Sequence, residues 1–160
     1  MPDPQINANL YAIQPTFFAV REIHFVSHRP PSANDRIDQS SVRVTEKVSP
    51  FNEETKRLQV SLEAKFGFEV EASATPPPFS VKVVITAEFA ISDAFPRDRV
   101  QEWAVVNAPF VIFPYLRERL YYITAQAGYP PILLPLLQIP TFKVEIARPA
   151  PPRALGGVMR

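Results

Sequence analysis

The stretch Arg57-Leu58-Gln59-Val60-Ser61-Leu62-Glu63-Ala64-Lys65-Phe66-Gly67-Phe68-Glu69-Val70 puts an apolar residue at every second position. Successive side chains of an extended chain point to opposite faces, so this pattern predicts a long strand over 57–70 with one buried and one wet face. Downstream, Phe79, Val81, Val83, Ile85, Ala87, Phe89 and Ile91 alternate with Ser80, Lys82, Thr86 and Glu88, which predicts a second strand. Pro76-Pro77-Pro78 lies between the two. That link is stiff and cannot continue a hydrogen-bonded ladder. Neighbouring strands joined by a short link pair antiparallel.

Two further strands precede these. Val42, Val44 and Val48 alternate with Arg43, Thr45 and Lys47. From Ile13 to Ser27, Phe18 and Val20 share one phase while Ile23 and Phe25 share the other, so a bulge is expected near Arg21-Glu22. Arg29-Pro30-Pro31-Ser32-Ala33-Asn34-Asp35 reads as a polar loop between them.

After Ile91 the period changes. Pro96 suits the opening of a short helix carrying Val100, Trp103 and Ala104. Asn107-Ala108-Pro109 breaks it and starts a second helix, which runs to Ala127 with Gly128 as its stop. Phe113, Leu116, Leu120, Ile123 and Ala127 form one stripe. Pro114 is placed in the first turn, where a missing N–H costs little. Then comes Tyr129-Pro130-Pro131-Ile132-Leu133-Leu134-Pro135-Leu136-Leu137-Gln138-Ile139-Pro140, strongly apolar yet unable to be a regular helix. Phe142–Ile146 fits a short strand or turn, and the Pro/Gly-rich tail 148–160 is expected to be disordered. The fold class is therefore α+β in a single domain, 1–147.

Composition narrows the function. Proline is 19 of 160 residues and glycine only 4, beside 12 Phe and 5 Tyr. That aromatic load exceeds the needs of one small core and points to assembly or a sticky surface. A net charge of +1, with dispersed basic residues, gives no footing for nucleic acid. Without cysteine there is no disulfide or thiolate chemistry. The start Met1-Pro2-Asp3-Pro4 has no secretory-signal pattern, and no apolar run is long enough to insert in a membrane. A cytoplasmic location is expected.

His24 and His28 are the only histidines. Four residues along a strand span about 13 Å, too far for one metal ion with ligand bonds of about 2 Å. No metal or cofactor is expected. Arg117-Glu118-Arg119 reads as a solvated face with an intersubunit salt bridge, because consecutive helical residues diverge. No phosphate loop, nucleophile elbow or carboxylate pair stands out, so an enzyme is not expected. The one unusual feature is the apolar block Phe110–Phe142, readable as ordinary core or as a groove for extended apolar chain.

The run Phe110-Val111-Ile112-Phe113-Pro114-Tyr115-Leu116-Arg117-Glu118, followed by Gly128-Tyr129-Pro130-Pro131-Ile132-Leu133-Leu134, resembles the SecB family of chaperones. The likeness, with four preceding strands, covers roughly residues 11–142. It implies a four-stranded antiparallel sheet, a long C-terminal helix and a proline-rich crossover loop packed on one face. It also implies a homotetramer, a dimer of dimers joined by the long helices, with Leu120, Ile123 and Arg119 at the interface. Unfolded or precursor polypeptides would lie against Val42, Val44, Phe79, Val81, Phe113, Tyr115, Leu116, Ile132, Leu134 and Phe142. The implied activity is that of an ATP-independent holdase for protein export. Export-type members dock the SecA motor on an acidic sheet surface. The matching places here read Glu22, Val26 and Val83, which leaves Glu22 as the docking carboxylate. Other SecB-like proteins serve the antitoxin of a toxin–antitoxin system, and that is the alternative partner.

Overall fold

A computed structural model describes residues 11–68 and 75–136. Strands β1 (Ile13–Ser27), β2 (Arg43–Val48), β3 (Arg57–Phe66) and β4 (Phe79–Ile91) form one antiparallel sheet in the order β1-β4-β3-β2. Helices α1 (Val100–Val106) and α2 (Ala108–Gln126) follow, and α2 packs on β3 and β4.

Register explains why one face is apolar. Val60 lies opposite Ala87, Leu62 opposite Ile85, Ala64 opposite Val83 and Phe66 opposite Val81. Opposed residues share a face, so the alternating apolar sets of β3 and β4 merge into one slab. Ile112, Leu116 and Leu120 of α2 complete the core with no exposed surface of their own.

β1 joins this slab through two irregularities. Its pairing skips a residue between Val20 and Glu22, where a bulge was expected, and again between Pro15 and Phe17. The second was not legible, because Gln14 and Thr16 carry no apolar phase to slip. Together the bulges bring Phe18, Val20, Ile23 and Phe25 opposite Ala87, Ile85, Val83 and Val81, on the helix-covered face.

Three expectations need correction. β3 ends at Phe66, because Gly67 has φ 78° and turns the chain away, and the expected end at Val70 falls outside the described residues. A Cβ there would stand 2.3 Å from the Phe79 carbonyl oxygen, so only glycine fits. Pro114 is interior to α2, since the helix begins at Ala108 and Pro109 holds the first turn. An interior proline costs about 3 kcal/mol, and here the buried stripe on either side of it offsets that cost. Finally, β1 and β2 occupy opposite edges of the sheet. The segment that crosses is therefore 28–42, whereas the proline-rich run after α2 lies against it. Phe142, the strand or turn expected at 142–146 and the tail 148–160 fall outside the described residues.

That proline-rich run is pinned from α2 and from the crossing segment. Gly128, at φ 83°, ends α2, and its N–H bonds to Ala125 O at 3.0 Å. The buried Thr124 hydroxyl donates to Leu120 O at 2.8 Å and accepts from Ile132 N at 2.9 Å. Leu133 N donates to the Gln39 side-chain oxygen at 2.9 Å. The Tyr129 hydroxyl bonds to Arg29 O, and its ring packs 4.6 Å from that of Phe79. The crossing segment is braced internally. Asp35 is 4% exposed, accepts from Ser32 N at 2.8 Å and pairs with Arg29. Arg29, then the Ser32 amide, hold the Asp35 carboxyl below the usual carboxylate range. Among the described residues no helix is long and apolar enough to cross a membrane.

Candidate functional site

A helix lying along a sheet covers the strands beneath it and leaves a trough on each flank. On the β2 flank, Val42 and Val44 come from the edge strand and its lead-in, Leu62 from β3, Phe113 and Pro109 from α2, and Leu134 from the proline-rich run. These line a cavity of about 530 Å³. Val44 is 39% exposed, although its face is the apolar one. The helix sits over β3 and β4 and does not reach the edge. Four of the expected contacts, Val42, Val44, Phe113 and Leu134, are thus gathered around one opening.

On the β1 flank, Tyr115 is 52% exposed and its ring lies 4.6 Å from that of Phe18. Val20 and Ile23 face the same side and stay exposed, Ile23 at 51%. Tyr122 is one heptad beyond Tyr115, hence on the same flank, and is half exposed. Near the start of α2, Tyr11, Phe89, Phe95, Trp103, Phe110 and Val111 line a cavity of about 730 Å³. Tyr115 was among the expected client contacts, but Phe18, Val20, Ile23 and Tyr122 were not assigned to a site. The alternation of β1 and the block from Phe110 were both visible, but not that they would meet.

The remaining expected contacts lie elsewhere. Phe79, Val81, Leu116 and Ile132 have no exposed surface and belong to the core. Alternation puts Phe79 and Val81 under α2, and the helical stripe puts Leu116 on the sheet. They can shape a trough from beneath but offer nothing for direct contact. Of the expected interface residues, Leu120 is also fully buried, Ile123 is half-buried against the core, and Arg119 is exposed and lies 3.6 Å from Glu118.

The outer face of the sheet carries paired charges beside the exposed Phe17 and Val26. Glu22 sits there, 2.8 Å from Lys82, which also reaches Glu63 at 3.4 Å. Glu22, followed by Glu63, raises the Lys82 pKa above that of an ordinary lysine. Lys65, then Lys82, lower the Glu63 carboxyl. Arg57 does the same for Glu88, assisted by Thr16 and Gln59. Among the described residues no group of His, Asp or Glu could hold a metal ion.

Comparison with known proteins agrees with this architecture. The family model described as preprotein translocase subunit SecB matches residues 12–140. The protein-export protein SecB of Ehrlichia canis is 28% identical over 122 residues, 68% of this chain and 68% of that one. Its counterpart from Mesorhizobium japonicum is 26% identical over 118 residues, 72% and 67% of the two chains. Among solved structures, a SecB-like chaperone of Mycobacterium tuberculosis, in complex with a ChAD peptide from an antitoxin, superposes with TM-score 0.63. It shares 17% identity, and the match covers 81% of this chain and 94% of that one, a likeness of fold.

Proposed function

This chain belongs to the SecB family of chaperones, and from that premise we propose that it is an ATP-independent holdase, binding unfolded or precursor polypeptides in the troughs beside α2. The observation that carries the reading is the open apolar cavity walled by Val42, Val44, Phe113 and Leu134. Val44 is the accessible member of that wall, with Phe113 and Leu134 buried behind it, and accessible apolar surface on a folded domain is a standing offer to other apolar chain. Each large side chain buried there would contribute about 1.5–3 kcal/mol. β2 is also a sheet edge, so an extended guest could add main-chain hydrogen bonds to it. Many weak contacts along one chain then sum through avidity. Phe79, Val81, Leu116 and Ile132 act by holding the walls in place, and Tyr115 serves the β1 flank.

Assembly is part of the proposal. The exposed Val20, Ile23, Tyr121 and Tyr122 favour assembly, which we take as a homotetramer built as a dimer of dimers. Native mass spectrometry showing only monomer at micromolar concentration would count against it. The central test is aggregation of an unfolded model substrate, followed by light scattering. The protein is expected to suppress scattering without ATP, and Val44→Lys, altered at an exposed site, is expected to suppress it far less. No suppression by the wild-type protein removes the holdase reading.

Service to an antitoxin, in place of export, is the second reading. It is favoured by the outer sheet face, where Glu22 is already committed to Lys82. That leaves little acidity for docking a motor. Tight SecA binding that depends on Glu22 argues for export; selective binding of an antitoxin peptide argues for the alternative.

A further inference from the structure

β2 is the last strand of the sheet, and among the described residues no strand pairs with its outer edge. Such an edge is a row of N–H and C=O groups ready to template another strand, and natural proteins cover or blunt it. On its helix side lies the trough of about 530 Å³, with Val44 accessible at its mouth. The chain itself runs past this opening. Leu134 and Pro135 belong to the trough's wall, and Leu136, the last described residue, is 80% exposed.

Residues 137–160 follow. Within them, Thr141-Phe142-Lys143-Val144-Glu145-Ile146-Ala147 puts an apolar side chain at every second position. That is the period of an extended chain with one apolar face, built from residue types that strands favour. Pro140 and Pro149 bracket the segment at strand length, since proline cannot donate to a ladder. The stretch also lies past residue 140, where the family match ends. β2 offers a matching frame of six residues, with Val44 and Val48 on the helix side, opposite Ala64 and Val60. Only Leu137-Gln138-Ile139-Pro140 separates the described wall from the segment, and four residues reach up to about 13 Å. We propose that Thr141–Ala147 docks on β2 of the same chain as an added strand, laying Phe142, Val144 and Ile146 into the trough as a built-in competitor that clients displace. A short tether holds such a segment at an effective concentration of about 1 mM, so weak intrinsic binding is enough to fill the site. The inference rests on the client-binding reading above and adds to it a threshold that a client must overcome.

The test uses the full chain, a dye-labelled apolar client peptide and fluorescence anisotropy. The double variant Phe142→Ser, Val144→Ser is expected to bind the client about fivefold tighter than wild type, the relief due when a competitor tethered at about 1 mM had filled the site four times in five. Amides of β2 that point away from β3 should exchange faster in the variant. A synthetic peptide of residues 141–147, added at about 1 mM, should displace the client from the variant. Should the variant fail to fold, displacement from the wild-type chain by the same peptide decides, and no displacement overturns the inference. Unchanged client affinity in a folded variant overturns it and leaves client binding standing. Weaker affinity also overturns it, since Phe142 and Val144 would then be client contacts. A gain that fades as the protein is diluted places the segment of a second copy in the trough and overturns docking within one chain. If the client binds neither protein, both readings fall.

Discussion

Replacing Thr124 with Val changes almost nothing in shape and removes one oxygen. That oxygen is the acceptor for Ile132 N–H, and both residues are fully buried. Water cannot reach the orphaned donor. Leaving a buried group unsatisfied costs about 1–3 kcal/mol. Val and Thr have similar helix propensity, so α2 itself is little affected and the loss falls on the proline-rich run that walls the β2-side trough. For a domain of this size a loss of about 2 kcal/mol lowers Tm by about 4–8 °C. Thr124→Ser is the control: it keeps the hydroxyl and loses one buried methyl, worth about 0.8 kcal/mol. The assay is denaturant unfolding followed by circular dichroism at a fixed protein concentration, because assembly would shift apparent stability. Amide exchange at Ile132 supplies the local readout and is expected to speed up in Val but not in Ser. If Thr124→Val matches Thr124→Ser in stability and Ile132 stays equally protected, the bond does not hold the run to the helix, and the account of how that wall is built is wrong.

Gly67→Ala should lower stability by several kcal/mol, because the new Cβ meets main chain at 2.3 Å; an unchanged denaturation midpoint would refute the strained turn. Leu120→Ala should cost about 2–5 kcal/mol, and Leu120→Glu should unfold the chain instead of yielding a folded monomer, as size-exclusion chromatography with circular dichroism would tell apart. Asp35 is held below its ordinary pKa by Arg29, so its contribution is fully present above the unfolded carboxylate value of about 3.9 and fades as pH falls through the lower folded value. Asp35→Asn should therefore be less stable than wild type at pH 7, with the gap closing below about pH 4; a constant gap across that range would sink the assignment.

Sequence alone determined the local layout. Alternation fixed β3 and β4 and their shared apolar face, since a period of two has one extended solution. The phase slip at Arg21 announced a bulge, and the stripe through Leu116 and Leu120 showed which side of α2 would be buried. Gly128 marked the end of that helix. What only the tertiary structure decided is which apolar residues remain reachable. Phe79 and Val44 look alike in a pattern, yet one is sealed under α2 and the other sits at an edge the helix does not cover. Strand order, too, lies outside any local pattern. Placing β1 and β2 on opposite edges made 28–42 the crossing segment. Periodicity reports a residue's face on its own element; accessibility depends on how far a neighbouring element extends, and that is set by packing between parts distant in the chain.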